Sequence, residues 1–169
     1  MKLIEALQEL KLTAKKIQDQ QNRLPQLCSV VSNEIPQVGG SVEAQTQEVN
    51  SIVQSIFDLG DYYTSLKLRI EKTNNATLVE IDGVTKSLTE WMVLERVIGG
   101  SVIGTARLIN TKRAEDMVSR MPTGAKENIT IIPCFDSKKL SEKFIKYGDT
   151  LARISAKKET TNAVTDLLD

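Results

Sequence analysis

Leu3, Leu7, Leu10, Ala14, Ile17, Gln21, Leu24, Cys28 and Val31 follow one another in alternating steps of four and three. A seven-residue repeat of this kind predicts a helix that buries one narrow stripe. Pro25 has no backbone N–H and is expected to end or kink that helix near Leu24. Ser32–Ser41, with Pro36 and the Gly39–Gly40 pair, reads as a loop. The repeat then resumes through Val42, Gln45, Val49, Ile52, Ile56, Leu59, Tyr63, Leu66 and Ile70. Two long stripes joined by a short loop predict an antiparallel helical hairpin over residues 1–73. Thr73-Asn74-Asn75 is expected to end the second helix, because asparagine tolerates the left-handed C-cap conformation. The seam residues expected to carry the interaction are Leu3, Leu7, Leu10, Ile17, Val49, Ile52, Ile56, Tyr63, Leu66 and Ile70.

After residue 73 the period changes. Leu78-Val79-Glu80-Ile81 and Val84-Thr85-Lys86-Ser87 flank Asp82-Gly83, the pair that supplies the positive φ angles of a two-residue primed turn. Residues 74–87 therefore read as a β-hairpin. Ser87-Leu88-Thr89-Glu90 is a capping box, opening a helix over residues 88–120 with Leu88, Trp91, Leu94, Ile98, Val102 and Ile109 on one side. Residues 121–135 read as a loop with a short strand at Ile129-Thr130-Ile131-Ile132-Pro133. The last helix, over 136–169, is capped by Asp136 and carries the stripe Leu140, Phe144, Tyr147, Leu151, Ile154, Lys158, Thr161, Thr165 and Leu168. That stripe turns polar after Ile154, as in an exposed tail or a surface completed by another chain. The fold class is mostly α, with a small β component (α+β), in a single elongated domain spanning residues 1–169.

The chemistry available to this chain is narrow. Its 169 residues include no histidine, which removes His-dependent triads, imidazole metal sites and imidazole acid–base work. Cys28 and Cys134 have no CxxC spacing, so zinc ribbons and thioredoxin-like sites are excluded; two buried free thiols are expected, with a single disulfide between them as the alternative. Carboxylate pairs such as Asp58 with Asp61 and Glu115 with Asp116 fall on helix surfaces, where nothing raises a pKa for general acid work. No catalytic, cofactor-binding or metal-ligating residue is expected, and no small-molecule substrate. The first nine residues lack the long apolar core of a signal peptide, and the weakly polar run from Val97 to Ala106 is about half a membrane span. The expectation is a protein made and soluble in the cytoplasm.

Three stretches carry a resemblance. Met1-Lys2-Leu3-Ile4-Glu5-Ala6-Leu7 is one. Arg69-Ile70-Glu71-Lys72-Thr73-Asn74-Asn75-Ala76-Thr77, followed by Leu88-Thr89-Glu90, is the second. Thr161-Asn162-Ala163-Val164-Thr165-Asp166-Leu167-Leu168 is the third. Together they resemble a small helical family labelled septicolysin, or uncharacterised, in bacterial and phage genomes. The resemblance implies a helix–hairpin–helix architecture and a phage or prophage origin, and it supplies no catalytic residue.

Net charge is zero, yet the charges are segregated. Residues 1–106 carry 10 basic and 13 acidic side chains, and residues 107–158 carry 12 basic and 6 acidic. Lys138, Lys139, Lys143 and Lys146 cluster on the last helix, where the only interleaved aromatics, Phe144 and Tyr147, belong to the buried stripe and are not free to stack on nucleic acid. Gly100 and Gly104 make a small-xxx-small pattern suited to close helix contact. These residues, with Ile129 and Ile131, are the candidate assembly contacts. The function expected is non-enzymatic: a structural protein acting as a homo-oligomer beside other particle or scaffold proteins, as a virion or prophage-particle component. A pore-forming protein, supported by the glycine run, and a cytoplasmic adapter or nucleic-acid-associated protein, supported by the lysines, are the alternatives.

Overall fold

The computed structural model describes residues 1–126 and 129–169. It is 72% helical, with one small antiparallel hairpin, so the mostly α class and the order of helices around the hairpin hold. The chain, read from its sequence as one domain, divides into two compact units. Unit 1 is Met1–Thr77 with Thr161–Asp169, and unit 2 is Leu78–Thr160.

Unit 1 is built on α1 (Leu3–Leu27) and α2 (Val42–Ala76). α1 runs through Pro25 instead of stopping at Leu24. The proline sits in the last turn, where its missing N–H forfeits one bond, and Cys28 N–H still donates to the Leu24 carbonyl at 3.1 Å. Gly39 and Gly40, at φ +62° and +67°, turn the connecting loop, and a Cβ on Gly39 would lie 2.7 Å from Ala44 Cβ. Ser41 Oγ caps α2 by accepting from Ala44 N–H at 3.1 Å. Gln45, buried, then ties the helices together: its amide donates to the Leu27 carbonyl at 2.8 Å and accepts from Gln37 N–H at 2.9 Å. With Arg23 on Glu48 at 2.8 Å, the end of α1 is fixed to the start of α2, and the pair is antiparallel.

The seam of α2 follows the expected stripe, except that Val42 is exposed. The seam of α1 keeps Leu3, Leu10, Ile17 and Leu24 but replaces the other half of the repeat. Ala6, Thr13, Gln20 and Leu27 face inward, while Ala14, Gln21 and Cys28 are exposed. Ala6 and Thr13 are buried because short side chains let the helices approach closely at those levels. The end of α2 is also corrected. Asn74 and Asn75 stay helical, and Thr77 leaves at φ −80°, ψ 111°, extended rather than left-handed. A left-handed cap reverses the chain, whereas here Thr77 leads directly into a strand.

That strand, β1 (Leu78–Ile81), opens unit 2 and pairs with β2 (Val84–Ser87) in the register Leu78↔Ser87, Val79↔Lys86, Glu80↔Thr85, Ile81↔Val84. Asp82 and Gly83 both have positive φ, as a primed turn requires. Ser87 Oγ accepts from Glu90 N–H at 3.2 Å, and the Glu90 carboxylate accepts from Ser87 N–H at 2.7 Å, starting α3 (Leu88–Val97). Trp91 on α3 is buried and donates its indole N–H to the Val79 carbonyl at 2.9 Å.

The expected single helix over 88–120 is in pieces. A π-helical stretch, Ile98–Ile103, follows α3 and contains Gly99 and Gly100, whose freedom from Cβ crowding suits the wider turn. α4 (Gly104–Leu108) then ends, Ile109 is extended, and α5 (Lys112–Ser119) begins. The break comes from Asn110. Its amide donates to the carbonyls of Arg107 and Leu108 at 3.2 and 3.3 Å, and its oxygen accepts from Lys112 N–H at 3.0 Å. One side chain thus terminates one helix and caps the next.

The strand expected at Ile129–Pro133 does not form, and the only sheet among the described residues is β1–β2. Ile129 N–H donates locally to the Lys126 carbonyl at 3.2 Å, and Pro133 has no N–H to give. Asp136 caps α6 (Ser137–Val164) by accepting from Lys139 N–H at 3.0 Å. Within unit 2, α6 contributes fully buried Ile154, and its Arg153 and Lys158 pair with Asp82 at 3.0 Å and Glu95 at 2.6 Å. Both cysteines, expected to be buried, are exposed free thiols.

Candidate assembly surfaces

In unit 1 the end of the chain returns to its start. Leu3 N–H donates to the Thr165 carbonyl and Leu167 N–H to the Met1 carbonyl, each at 2.9 Å, forming an antiparallel bridge between Lys2 and Asp166. The Lys2 ammonium reaches the Val164 carbonyl and the Asp166 carboxylate, both at 2.9 Å. Leu168 N–H donates to Thr73 Oγ1 at 3.0 Å, and the Arg69 guanidinium holds the Leu168 carbonyl at 3.1 Å and the Asp169 carboxylate at 2.6 Å. These groups come from three parts of the chain: Met1–Leu3, Arg69–Thr73 and Val164–Asp169. The polar end of the last stripe is therefore a clasp within the chain, where Thr161 and Thr165 are half-buried, and not a free tail. The Lys2 hydrogen bond, reinforced by its charge, lowers the pKa of Asp166. The clasp can hold the chain together, but it presents no reactive group. Sequence reading missed it because each partner is an ordinary charged or hydroxyl residue, distant in the chain from the others.

The seam residues lie as follows. Leu3, Ile52, Leu66 and Ile70 are buried, and Leu7, Leu10, Ile17, Val49, Ile56 and Tyr63 are half-buried. The other candidates are in unit 2. A Cβ added at Gly100 or Gly104 would meet nothing within 4 Å, so among the described residues nothing packs into the small-xxx-small pattern. Ile129 is exposed. Half-buried Ile131 lines a cleft of about 320 Å³ with Ala114, Met117, Pro133 and Phe135. Lys138, Lys139, Lys143 and Lys146 are all exposed on α6. Lys143 also borders a groove of about 440 Å³ between α6 and the π-helix–α4 stretch, with Val102, Ile109, Leu140 and Phe144 as its apolar wall. The structure thus brings Lys143 to a groove but leaves Ile131 in a different cleft.

Among the described residues, no cluster of three His, Cys, Asp or Glu side chains could hold a metal ion, and no helix is long and apolar enough to cross a membrane. No protein-family model, curated protein or solved structure matches this chain.

Proposed function

We propose that this chain is a non-enzymatic structural protein that works by assembling with copies of itself. The observation that carries the reading is its surface. The chain exposes 12038 Å². Two separate compact bodies sharing its 18.7 kDa equally would expose roughly 10,000 Å². The excess is comparable to a standard protein–protein interface. Much of it is apolar: Phe57 and Leu68 on α2, Val93 and Val97 on α3, and Leu108, 80% exposed, at the end of α4. Where such side chains share a helix face, as Phe57 and Leu68 do on α2, they form an apolar surface that a partner can cover.

Sedimentation velocity over a dilution series tests the reading. The expected result is a mass that rises with concentration to a multiple of 18.7 kDa. A monomer throughout would overturn it. The finer reading, a phage or prophage particle component, is supported by the septicolysin-family resemblance. Mass spectrometry of purified particles tests it, with the chain expected at a copy number matching a symmetric assembly.

A further inference from the structure

We infer that the copies join through unlike surfaces: the outer face of α2 in one copy docks on the groove of α6 bordered by Lys143 in another. This rests on the self-assembly reading and names its surfaces.

The two surfaces complement each other in charge. Unit 1 carries 8 basic and 11 acidic side chains, and unit 2 carries 14 and 11. On the side of α2 turned away from its seam, Asp58 and Asp61 are exposed, with Phe57 65% and Leu68 61% exposed beside them. Phe57, Asp61 and Leu68 recur at steps of four and seven, so they share one helix face. On α6, exposed Lys143 borders the groove, whose lining includes Val102, Ile109, Leu140 and Phe144, and exposed Lys146 lies three residues further along the same helix. The carboxylates are three residues apart on their helix and the ammonium groups are three residues apart on theirs. Each pair therefore has the same rise of about 4.5 Å. Exposed Phe57, next to Asp58 and one turn from Asp61, matches a groove with an apolar wall bordered by Lys143. Charge of this kind sets register and partner choice.

Made once per copy, a contact between unlike surfaces closes into a ring or propagates as a filament; made twice between two copies, it gives a two-fold dimer.

Charge reversal tests the contact on the full-length chain. All four positions are exposed, so folding is unaffected, and circular dichroism verifies this. D58K/D61K and K143E/K146E should each weaken self-association by at least ~10-fold, while the variant carrying all four changes should recover to within ~3-fold of the native chain. Raising salt should weaken the native assembly. Loss in both double variants without recovery in the combination would overturn the contact. So would native-like association of either double variant. In those cases the native chain still oligomerises and the broader reading stands. A native chain that stays monomeric would remove both. Binding of a short DNA duplex, abolished by K143E/K146E while self-association persists, would assign the groove to a polyanion and also overturn the contact.

Discussion

Unit 1 buries its apolar side chains along one seam between two helices of 25 and 35 residues. Unit 2 instead hangs a hairpin of two four-residue strands, a helix in three pieces and most of α6 on Trp91, Ile98 and Ile154. In unit 1 no single side chain dominates: the contacts repeat every turn, and the ends are fastened by Gln45 at one end and the Lys2–Asp166 clasp at the other. In unit 2 a few residues each perform an unshared task. Trp91 fastens α3 to β1, Asn110 divides α4 from α5, and Asp82 and Glu95 anchor α6. A distributed seam tolerates truncation, whereas a keystone does not.

The largest effect should therefore fall in unit 2. Trp91→Ala removes a buried ring and its bond to the Val79 carbonyl, and should cost about 3–5 kcal/mol. Hydrogen exchange should show protection lost across β1, β2 and α3. Leu66→Ala in the unit 1 seam, equally buried, should fall at the lower end of the ~2–5 kcal/mol range for such truncations. A larger loss from Leu66→Ala than from Trp91→Ala would reverse the comparison.

The seam itself is sharpened by two adjacent residues. Thr13 is buried and Ala14 is exposed. Thr13→Lys should destabilise on the order of 3 kcal/mol, because a charge enters the seam without a partner, while Ala14→Lys should stay within about 0.5 kcal/mol. Equal midpoints in urea titrations of the two variants would restore the register in which Leu7, Ala14, Gln21 and Cys28 face inward.

That pair of residues also explains what was legible before the structure. The α2 stripe could be read because Ile52, Leu66 and Ile70 are both apolar and buried, and Ile56 between them is half-buried. In α1 half of the seam is Ala6, Thr13 and Gln20, so past half-buried Leu7 the apolar Ala14 drew the stripe one residue off. Local chemistry was readable wherever a residue type has few uses: Asp82-Gly83 placed the turn, and Ser87 with Glu90 placed the start of α3. Asn110 was not, since an asparagine inside an apolar helical pattern carries no mark that its side chain will take three backbone groups. The run Ile129–Ile132 has strand composition, but a strand needs an edge to pair with, and no residue within the run reveals whether an edge is there. Of the candidate contacts, Lys143 was legible as charge, and its groove was not, because Val102 and Ile109 come from elements whose breaks the sequence concealed.

Smaller effects test the fastenings. Ser87→Ala removes the hydroxyl that accepts from Glu90 N–H and should cost about 1 kcal/mol. Ser87 N–H and then its hydroxyl are the main causes that lower the Glu90 pKa. Ser87→Ala should therefore move that carboxyl part of the way back toward its ordinary value in an NMR titration. An unchanged titration would leave the whole shift with the Ser87 N–H.

The smallest effects are electrostatic, and they separate the two units by cause. Asp166 and Glu90 both have a pKa lowered in the folded chain, Asp166 first by the Lys2 hydrogen bond and then its charge, Glu90 first by the Ser87 N–H. For a depressed carboxyl, the unfolded chain binds its proton at a higher pH than the folded one. The stabilisation is whole above the ordinary carboxylate pKa, and it fades as pH falls through the lowered folded value. Asp166→Asn and Glu90→Gln should each melt below the native chain at neutral pH, and each gap should close on acidification through the carboxylate range. Salt distinguishes them. Lys2 and Asp166 are exposed ions that a Debye length of about 8 Å at physiological ionic strength screens. The Glu90 bonds come from a neutral N–H and hydroxyl at 2.7 and 2.9 Å. Added salt should therefore narrow the Asp166→Asn gap and leave most of the Glu90→Gln gap in place. If both gaps shrink equally in scanning calorimetry, the Glu90 shift owes more to the charge of Lys86 than to the cap, and the two fastenings share one cause.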